Sequence, residues 1–146
     1  MSVGPGSSGV HSEQATILVV DDDHDMVGAL CDILRQAGYR PLSAHSGHEA
    51  LAIVGREAPD VMISDLRMAG MSGHGLQAEL KRTAPDLPVV IITAFGSIQT
   101  AVESMKLGAF DYITKPFSNS ELLLIVSRAL ENRDLRDEVK RLRIEL

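Results

Sequence analysis

A regular alternation of short apolar runs with longer amphipathic stretches is the feature that most constrains the fold. Five runs are typical of strands: TILVV from Thr16, RPLSA from Arg40, DVMIS from Asp60, PVVIIT from Pro88 and FDYIT from Phe110. The segments between them have the length and periodicity of helices. Largely apolar strands separated by helices indicate a parallel sheet covered on both sides. The sequence therefore predicts an α/β fold, doubly wound, with five strands and five helices.

Glycine and serine residues mark the ends of the predicted helices. Gly38 and Gly108 stand where a left-handed C-cap is needed just before a strand. Ser46, Ser97 and Ser118 are candidate N-caps. These signals leave only short loops between the helices and the strands.

Length and charge limit the function classes that need to be considered. The chain has 146 residues, of which 45% are hydrophobic, which is enough for one domain with a sizeable core. Its formal net charge of −6 would repel nucleic acid and anionic lipid. The longest apolar runs, such as 87–94, are too short to span a bilayer, and no signal peptide is evident. We expect a cytoplasmic protein, with residues 1–14 as a disordered leader and Cys31 as a packed thiol.

Polar residues follow the predicted strands at one edge of the sheet. Asp21 and Asp22 follow the first strand, Asp65 the third and Lys115 the fifth, while Thr93 closes the fourth. Ligands of such sheets bind at the carboxyl ends of the strands. Three crowded carboxylates repel one another, and Mg²⁺ is the cation that suits such oxygen ligands. Thr93 and Lys115 could then hold phosphoryl oxygens, so the pattern predicts a magnesium-dependent phosphorylation site.

Each of these polar residues taken alone has a structural explanation. Asp and Thr after strands are common as helix caps and turn formers, and Asp23 is assigned that role at the next helix. Four of the histidines lie in different segments without metal-ligand spacing and are assigned to surface or loop positions: His24, His45, His48 and His74. The prediction of a site rests on the conjunction of all five strand-end residues.

Four motifs, taken in order, resemble those of the receiver domain of bacterial two-component response regulators. They are ILVVDDD, SDLRMAGMSG, IITAFG and FDYITKPF, and the resemblance covers about residues 15–132. It implies a flavodoxin-like fold with strand order 2-1-3-4-5. It also implies a signalling domain that promotes its own phosphorylation by a sensor histidine kinase, and not an enzyme acting on a separate substrate.

The resemblance implies a role for each carboxylate. Asp65 resembles the phosphoacceptor, which attacks the phosphorus of the kinase's phosphohistidine. Asp22 and Asp65 are expected to ligate Mg²⁺ directly, with the backbone carbonyl of Arg67, while Asp21 acts through a bound water. Ala69 stands where the family usually has Pro, so a somewhat looser loop is expected, and Gly70 remains available for an unusual turn.

The same resemblance implies a switch between two conformations. Thr93 and Lys115 would hold the new phosphoryl oxygens, with Ala94 leaving room beside them. Tyr112 matches the family's switch aromatic, which turns inward as Thr93 moves toward the phosphoryl group. The helix at 97–107 is the surface that this change would remodel. The Lys115-Pro116 bond resembles the family's cis peptide.

A haloacid-dehalogenase-like phosphatase is the competing enzyme class. VVDDDHD fits its D-x-D opening, with Asp21 as nucleophile, Asp23 as acid/base and Lys115 in its third motif. That scheme gives Asp65 no role. It also requires an acidic pair after the lysine, where this chain has PFSNSELLL. The receiver interpretation is therefore favoured.

The C-terminal stretch is expected to extend beyond the receiver as a helical linker at 133–146. Leu135, Val139, Leu142 and Leu146 are spaced as an a/d seam of about two heptads, which predicts a homodimer, although a solvated tail is the alternative. The arrangement resembles receivers of activators with a central AAA+ ATPase and a DNA-binding domain, neither of which is present in this segment. Control of transcription is the expected output, with a single-domain regulator acting by protein contact as the alternative.

Overall fold

Strands and helices alternate throughout the part of the chain that the computed structural model describes, which is residues 14–66, 70–93 and 98–145. In chain order the elements are β1 (Thr16–Val20), α1 (His24–Gln36), β2 (Arg40–Ala44), α2 (Gly47–Glu57), β3 (Val61–Asp65), α3 (Gly73–Thr83), β4 (Val89–Thr93), α4 (Ile98–Lys106), β5 (Asp111–Thr114) and α5 (Asn119–Glu145). All neighbouring strands are parallel, in the order β2-β1-β3-β4-β5. The predicted α/β class and the strand order are confirmed.

Two apolar clusters fill the space on either side of the sheet. Successive side chains of a strand point to opposite faces, so Ile17 and Val19 enter one cluster while Leu18 and Val20 enter the other. Helices α1 and α5 cover the first face, and α2 and α3 cover the second. The central strands β1, β3 and β4 are almost wholly buried, whereas the edge strands β2 and β5 also carry exposed residues. This burial is the main source of stability.

Local capping chemistry fixes the helix ends. Gly38 and Gly108 adopt the predicted left-handed backbone, with φ of +96° and +99°. Asp23 and Ser46 cap α1 and α2 by accepting backbone N–H hydrogen bonds, as predicted. Ser118 forms a reciprocal capping box with Glu121 at the start of α5. The predicted cap Ser97 lies outside the described residues, as does the leader up to residue 13.

Cys31 packs against the core cluster formed by α1, α5 and the sheet. Its side chain is partly buried, and burial raises the pKa of the thiol above its ordinary value. A raised pKa leaves less of the nucleophilic thiolate at neutral pH. The structure thus agrees with a packed thiol.

Helix α5 continues without a break across the boundary predicted near residue 132. Where it passes the amino-terminal edge of the sheet, Arg133 donates hydrogen bonds to the Asp60 carboxylate at 2.9 Å and to the Pro59 carbonyl at 3.1 Å. Further along, Lys140 pairs with Asp86. The extension is therefore tied to the body of the domain. None of the helices in the described ranges is long and apolar enough to cross a membrane.

Two glycines of the first helical segment should respond oppositely to alanine. Gly38 has a positive φ, so Gly38→Ala should lower the free energy of unfolding by about 1 kcal/mol. Gly28 lies within α1 with open space where an alanine methyl group would stand, and Gly28→Ala should raise the free energy of unfolding by about 0.5–1 kcal/mol. Urea unfolding of both variants measures the difference. A Gly38→Ala protein as stable as Gly28→Ala would contradict the left-handed cap.

Candidate functional site

The parallel register brings two carboxylates side by side at the carboxyl edge of the sheet. Val20 pairs with Ser64, so the residues that follow them, Asp21 and Asp65, are neighbours across the β1–β3 boundary. Asp21 is only 2% exposed. One of its oxygens accepts a hydrogen bond from the backbone N–H of Asp23 at 3.0 Å. The end of the first strand thus places the buried acid Asp21 next to Asp65, which ends the third strand.

Burial and the neighbouring carboxylate raise the pKa of Asp21 from 3.8 to about 6. Desolvation is the largest cause, and the charge of Asp65 together with a side-chain hydrogen bond to it acts in the same direction. The Asp23 N–H and the Lys115 ammonium act in the opposite direction but do not compensate. The pocket is therefore short of positive charge near neutral pH.

Asp65 also contacts the lysine that follows the fifth strand. The Lys115 Nζ atom lies 3.2 Å from Asp65 Oδ2, and the Asp65 side chain is mostly buried. The backbone of Lys115 is held by a hydrogen bond from its N–H to the Thr93 carbonyl at 2.8 Å. The Lys115-Pro116 peptide is cis, as the resemblance implied. Asp65 thus lies between an acid and an ammonium.

The hydroxyl of Thr93 is buried without a hydrogen-bond partner among the described residues. Thr93 is 1% exposed and ends β4, whose residue Ile92 pairs with Asp65. Leaving a buried hydroxyl unpaired costs about 1–3 kcal/mol. A buried, unpaired hydroxyl near the Asp65 carboxylate fits a site that binds further oxygen atoms.

Tyr112 lies on the neighbouring edge strand, one strand away from the buried threonine. It pairs with Ile91 of β4, and its side chain is 39% exposed. The register thus places Thr93 and Tyr112 on adjacent strands. In this conformation the ring faces solvent.

The loop after β3 returns close to that strand at Gly73, a glycine that sequence reasoning did not single out. A Cβ atom on Gly73 would lie 2.7 Å from the Leu66 Cα and 2.8 Å from the Asp65 carbonyl oxygen. The Gly73 N–H donates to the Leu66 carbonyl at 3.0 Å. Gly70 has the expected unusual turn conformation, with φ of +79°. Arg67 and Ala69 lie outside the described residues, as does Ala94.

The donor set fits Mg²⁺ better than a closed transition-metal cage. Among the described residues, no group of three or more His, Cys, Asp or Glu side chains could hold a metal ion by itself. Mg²⁺ is commonly held by one or two carboxylates and completes its octahedron with carbonyl, water and phosphate oxygens. Asp21 and Asp65 are in contact, and Asp22 is exposed at the same edge. Burial, and after it the charge of Asp65, raise the pKa of Asp21, so a cation at this edge would favour the charged form of the acid.

Three histidines assigned to separate surface positions make specific contacts. The rings of His24 and His45 stack with centroids 3.8 Å apart and an interplanar angle of 8°. His74 contacts the hydroxyl of Ser104 on another helix. These pairs join segments far apart in sequence, so no local spacing could have revealed them.

Comparison with known proteins agrees with this geometry. Residues 17–127 match the family model described as the response regulator receiver domain. The chain is 40% identical over 129 residues to the nitrogen assimilation regulatory protein NtrX of Azorhizobium caulinodans, covering 87% of this chain and 28% of that protein. It is 44% identical over 114 residues to the transcriptional regulatory protein ZraR of Salmonella typhimurium, covering 78% and 26%. It thus spans little more than a quarter of the length of these relatives.

Solved structures show the same relationship. The crystal structure of NtrX from Brucella abortus in complex with ADP aligns with a TM-score of 0.84 at 39% identity, covering 90% of this chain and 29% of that chain. The separate receiver domain of the same protein aligns with a TM-score of 0.77 at 39% identity, covering 79% and 98%. The similarity therefore spans one complete domain of those structures.

Neutralising Asp21 should stabilise the metal-free protein at neutral pH and not in acid. Because its folded pKa of about 6 exceeds the unfolded value of 3.8, the folded state binds more protons between these values and stability falls as pH rises. Asp21→Asn should raise the free energy of unfolding by about 1–2 kcal/mol near pH 7 and by little near pH 4.

Urea unfolding with a chelator present, at both pH values, measures this effect. Asp32→Asn is the control, because Asp32 is exposed on α1, where its carboxylate pairs with Arg35. An Asp21→Asn protein no more stable than the wild type at pH 7 would contradict the conclusion that the charged Asp21 destabilises the metal-free fold.

Proposed function

Because the chain belongs to the response regulator receiver domain family, we propose that Asp65 accepts a phosphoryl group from a sensor histidine kinase and that the domain then changes conformation. One observation carries the proposal. The Asp65 carboxylate lies in a mostly buried pocket between the acid of Asp21 and the ammonium of Lys115, with the unpartnered hydroxyl of Thr93 one strand away. A nucleophile, a cation and a hydroxyl donor thus share one edge.

The transfer requires positioning more than proton movement. An Asp65 oxygen forms the new bond to phosphorus while the bond from phosphorus to the kinase's imidazole nitrogen breaks, and the electron pair returns to that nitrogen. A carboxylate has no proton to lose, so no general base is needed. Lys115 and Thr93 hold the phosphoryl oxygens, which gain charge during the reaction. The domain thereby promotes its own modification and is not an enzyme with a separate substrate.

Mg²⁺ belongs to this proposal as the counter-charge. Asp22, Asp65 and the backbone carbonyl of Arg67 would hold the ion, and Asp21 would act through a water molecule. When bound, the ion offsets the negative charge that gathers on the transferred group. The support is the pKa of Asp21, which reveals an acid pair without sufficient compensation.

Thr93 and Tyr112 form the proposed switch. The threonine hydroxyl moves toward the new phosphoryl oxygens, and the exposed tyrosine ring turns into the space that is left. The adjacency of the two residues' strands and the unpaired state of Thr93 Oγ1 among the described residues support this. A local charge change would in this way reach the surface of α4 and β5.

The output is control of transcription, exerted through domains outside this segment. The matched relatives include proteins named as transcriptional regulators, of which this chain corresponds to about a quarter. The acidic net charge argues against nucleic-acid binding by the segment itself. A cytoplasmic location is part of the proposal. The phosphatase alternative is not favoured, since it leaves Asp65 without a role.

The receiver occupies residues 15–132, and residues 133–146 are a linker through which two copies pair. Leu135 is 65% exposed, and Val139 and Leu142 are exposed on the same stripe of α5. Leu146 lies outside the described residues. Two heptads are marginal alone. The dimer therefore also uses the exposed Leu124 of α5 and Tyr112 of β5.

Phosphorylation should occur at Asp65 alone and require Mg²⁺. Incubation with acetyl phosphate and Mg²⁺, followed by intact-mass spectrometry, should show one added phosphoryl group in the wild type and in the control Asp32→Asn. Asp65→Asn should show none, because an amide is not a nucleophile toward phosphorus. Equal phosphorylation of Asp65→Asn would refute the assignment.

Dimerisation should depend on the leucine stripe. Analytical ultracentrifugation at high micromolar concentration should show a dimer for the whole chain and a monomer for one ending at Asn132. Because that truncation also removes the Arg133–Asp60 contact, Val139→Glu provides a point variant in the intact helix, with Arg141→Ala as its control on the charged face. A monomeric whole chain, or a dimer that persists in Val139→Glu, would refute pairing through the stripe.

A further inference from the structure

A buried polar network joins α3 to α4 on the face of the sheet away from α1 and α5. It consists of His74 and Gln77 on α3 and Ser104 on α4, which are here called the α3–α4 latch. Gln77 and Ser104 are both buried, and His74 is partly buried. Polar side chains in such a position are rarely neutral for the structure, because each needs its partners to offset desolvation.

The hydrogen bonds of the latch have a definite direction. The Ser104 hydroxyl donates to the Thr100 carbonyl within α4 at 3.0 Å. Its oxygen therefore remains an acceptor, and His74 Nε2 lies 3.0 Å away. This arrangement places a proton on Nε2, which donates across the interface. One side chain of α3 thus holds the C-terminal half of α4.

Gln77 holds the end of the same helix. Its Nε2 donates to the Ser104 carbonyl at 3.1 Å, and that carbonyl also accepts the Ala109 N–H at 3.0 Å in the C-terminal cap. The Gln77 Oε1 atom is buried and has no partner among the described residues. Burying a half-satisfied amide costs free energy, so Gln77 is not the residue that stability alone would favour.

The latch joins α3 and α4, the two helices that follow the strands carrying Asp65 and Thr93 at the proposed phosphorylation site. Helix α3 begins at Gly73, against the backbone of Asp65 and Leu66, and α4 begins at Ile98, a short way beyond Thr93 in the chain. The anchored part of α4 is its C-terminal half. A displacement of Thr93 is passed to the start of α4, while the latch resists movement of its other end.

We propose that the α3–α4 latch is a regulatory device that holds α4 in the unphosphorylated conformation and sets how much of the active conformation is present before phosphorylation. This rests on the proposed function of Asp65. The conformation described is the unphosphorylated one, because Lys115 pairs directly with Asp65 and the Tyr112 ring is exposed. His74, Gln77 and Ser104 are positioning residues, which act through α4 and do not touch the phosphoryl group.

The proposal can be tested without a kinase, because ligand binding and the conformational equilibrium are thermodynamically linked. If the latch favours the unphosphorylated state, weakening it must raise the affinity for any ligand that favours the other state, by the same free energy. Beryllofluoride with Mg²⁺ is the probe, as a phosphoryl analogue for Asp65, and fluorine NMR of the bound fluoride measures its apparent affinity. Ser104→Ala and His74→Leu should each bind it about 3- to 10-fold more tightly, because each removes the hydrogen bond of about 1 kcal/mol between His74 and Ser104. His74→Leu also removes the 3.4 Å contact of Nε2 with the Thr100 carbonyl, and Ser104→Ala the hydroxyl bond to that carbonyl within α4.

Controls separate the latch from a general effect on stability. Thr83→Ala removes a hydroxyl that back-bonds within α3 at 3.0 Å, as Ser104 does within α4, but makes no contact with α4 through it, and should leave the affinity unchanged. Gln77→Met should keep the global stability while raising the amide hydrogen-exchange rates of α4. In the double variant of His74 and Ser104 the combined effect should be smaller than the sum of the two single effects, since both variants remove the shared His74–Ser104 bond.

The outcomes are distinct. Affinities within twofold of the wild type in the His74, Gln77 and Ser104 variants would overturn the proposal, as would weaker binding, which would assign the latch to the active conformation. Failure of the wild type itself to bind beryllofluoride with Mg²⁺ would instead refute the function proposed for Asp65. The hydrogen-exchange measurement on Gln77→Met still tests whether the latch restrains α4 in that case.

Discussion

The contact between two carboxyl groups at a buried edge of the sheet is the interaction on which the site depends. The fold places Asp21 beside Asp65 because the first and third strands are paired in register and both end at the same level. Burial then makes the charged form of Asp21 costly. In the proposed function, a bound cation would offset this cost by neutralising the two acids. The local instability would then favour cation binding at this edge.

Sheet topology also explains how much the sequence could predict. A parallel sheet puts the ends of all its strands at one edge, so naming the residue after each strand was sufficient to gather Asp21, Asp22, Asp65, Thr93 and Lys115. Strand positions agreed to within about one residue, since the apolar runs are bounded by charged, glycine and proline residues that cannot continue them. The left-handed caps at Gly38 and Gly108 were predictable for the same local reason.

Side-chain contacts between segments that are distant in sequence could not be predicted in this way. The stacking of His24 on His45 and the contact of His74 with Ser104 join residues 21 and 30 positions apart, and no local periodicity encodes them. Gly73 was missed for a different reason. Its lack of a side chain matters only because the backbone of Leu66 passes within 2.7 Å of where a Cβ would lie, a distance that emerges from the folded loop. The same holds for the tie between Arg133 and Asp60, which required knowing that α5 passes the amino-terminal edge.

Two sets of long-range contacts restrain different helices and thereby divide the domain into fixed and movable parts. The Arg133–Asp60 ion pair restrains α5, and the α3–α4 latch restrains α4. Helix α5 is joined to the sheet by the packing of Leu122 and Val126 and by the Arg133–Asp60 ion pair, so its extension follows the sheet as a rigid arm. None of the described side chains of helix α4 belongs to either apolar cluster, and α4 is joined to α3 by hydrogen bonds from His74 and Gln77. Hydrogen bonds exchange partners at little net cost, whereas apolar packing resists rearrangement. In the proposed switch, a change at Thr93 would therefore move α4 before it moves α5, so an effect on the proposed pairing of the linker helices would pass through the surface that α4 and β5 share.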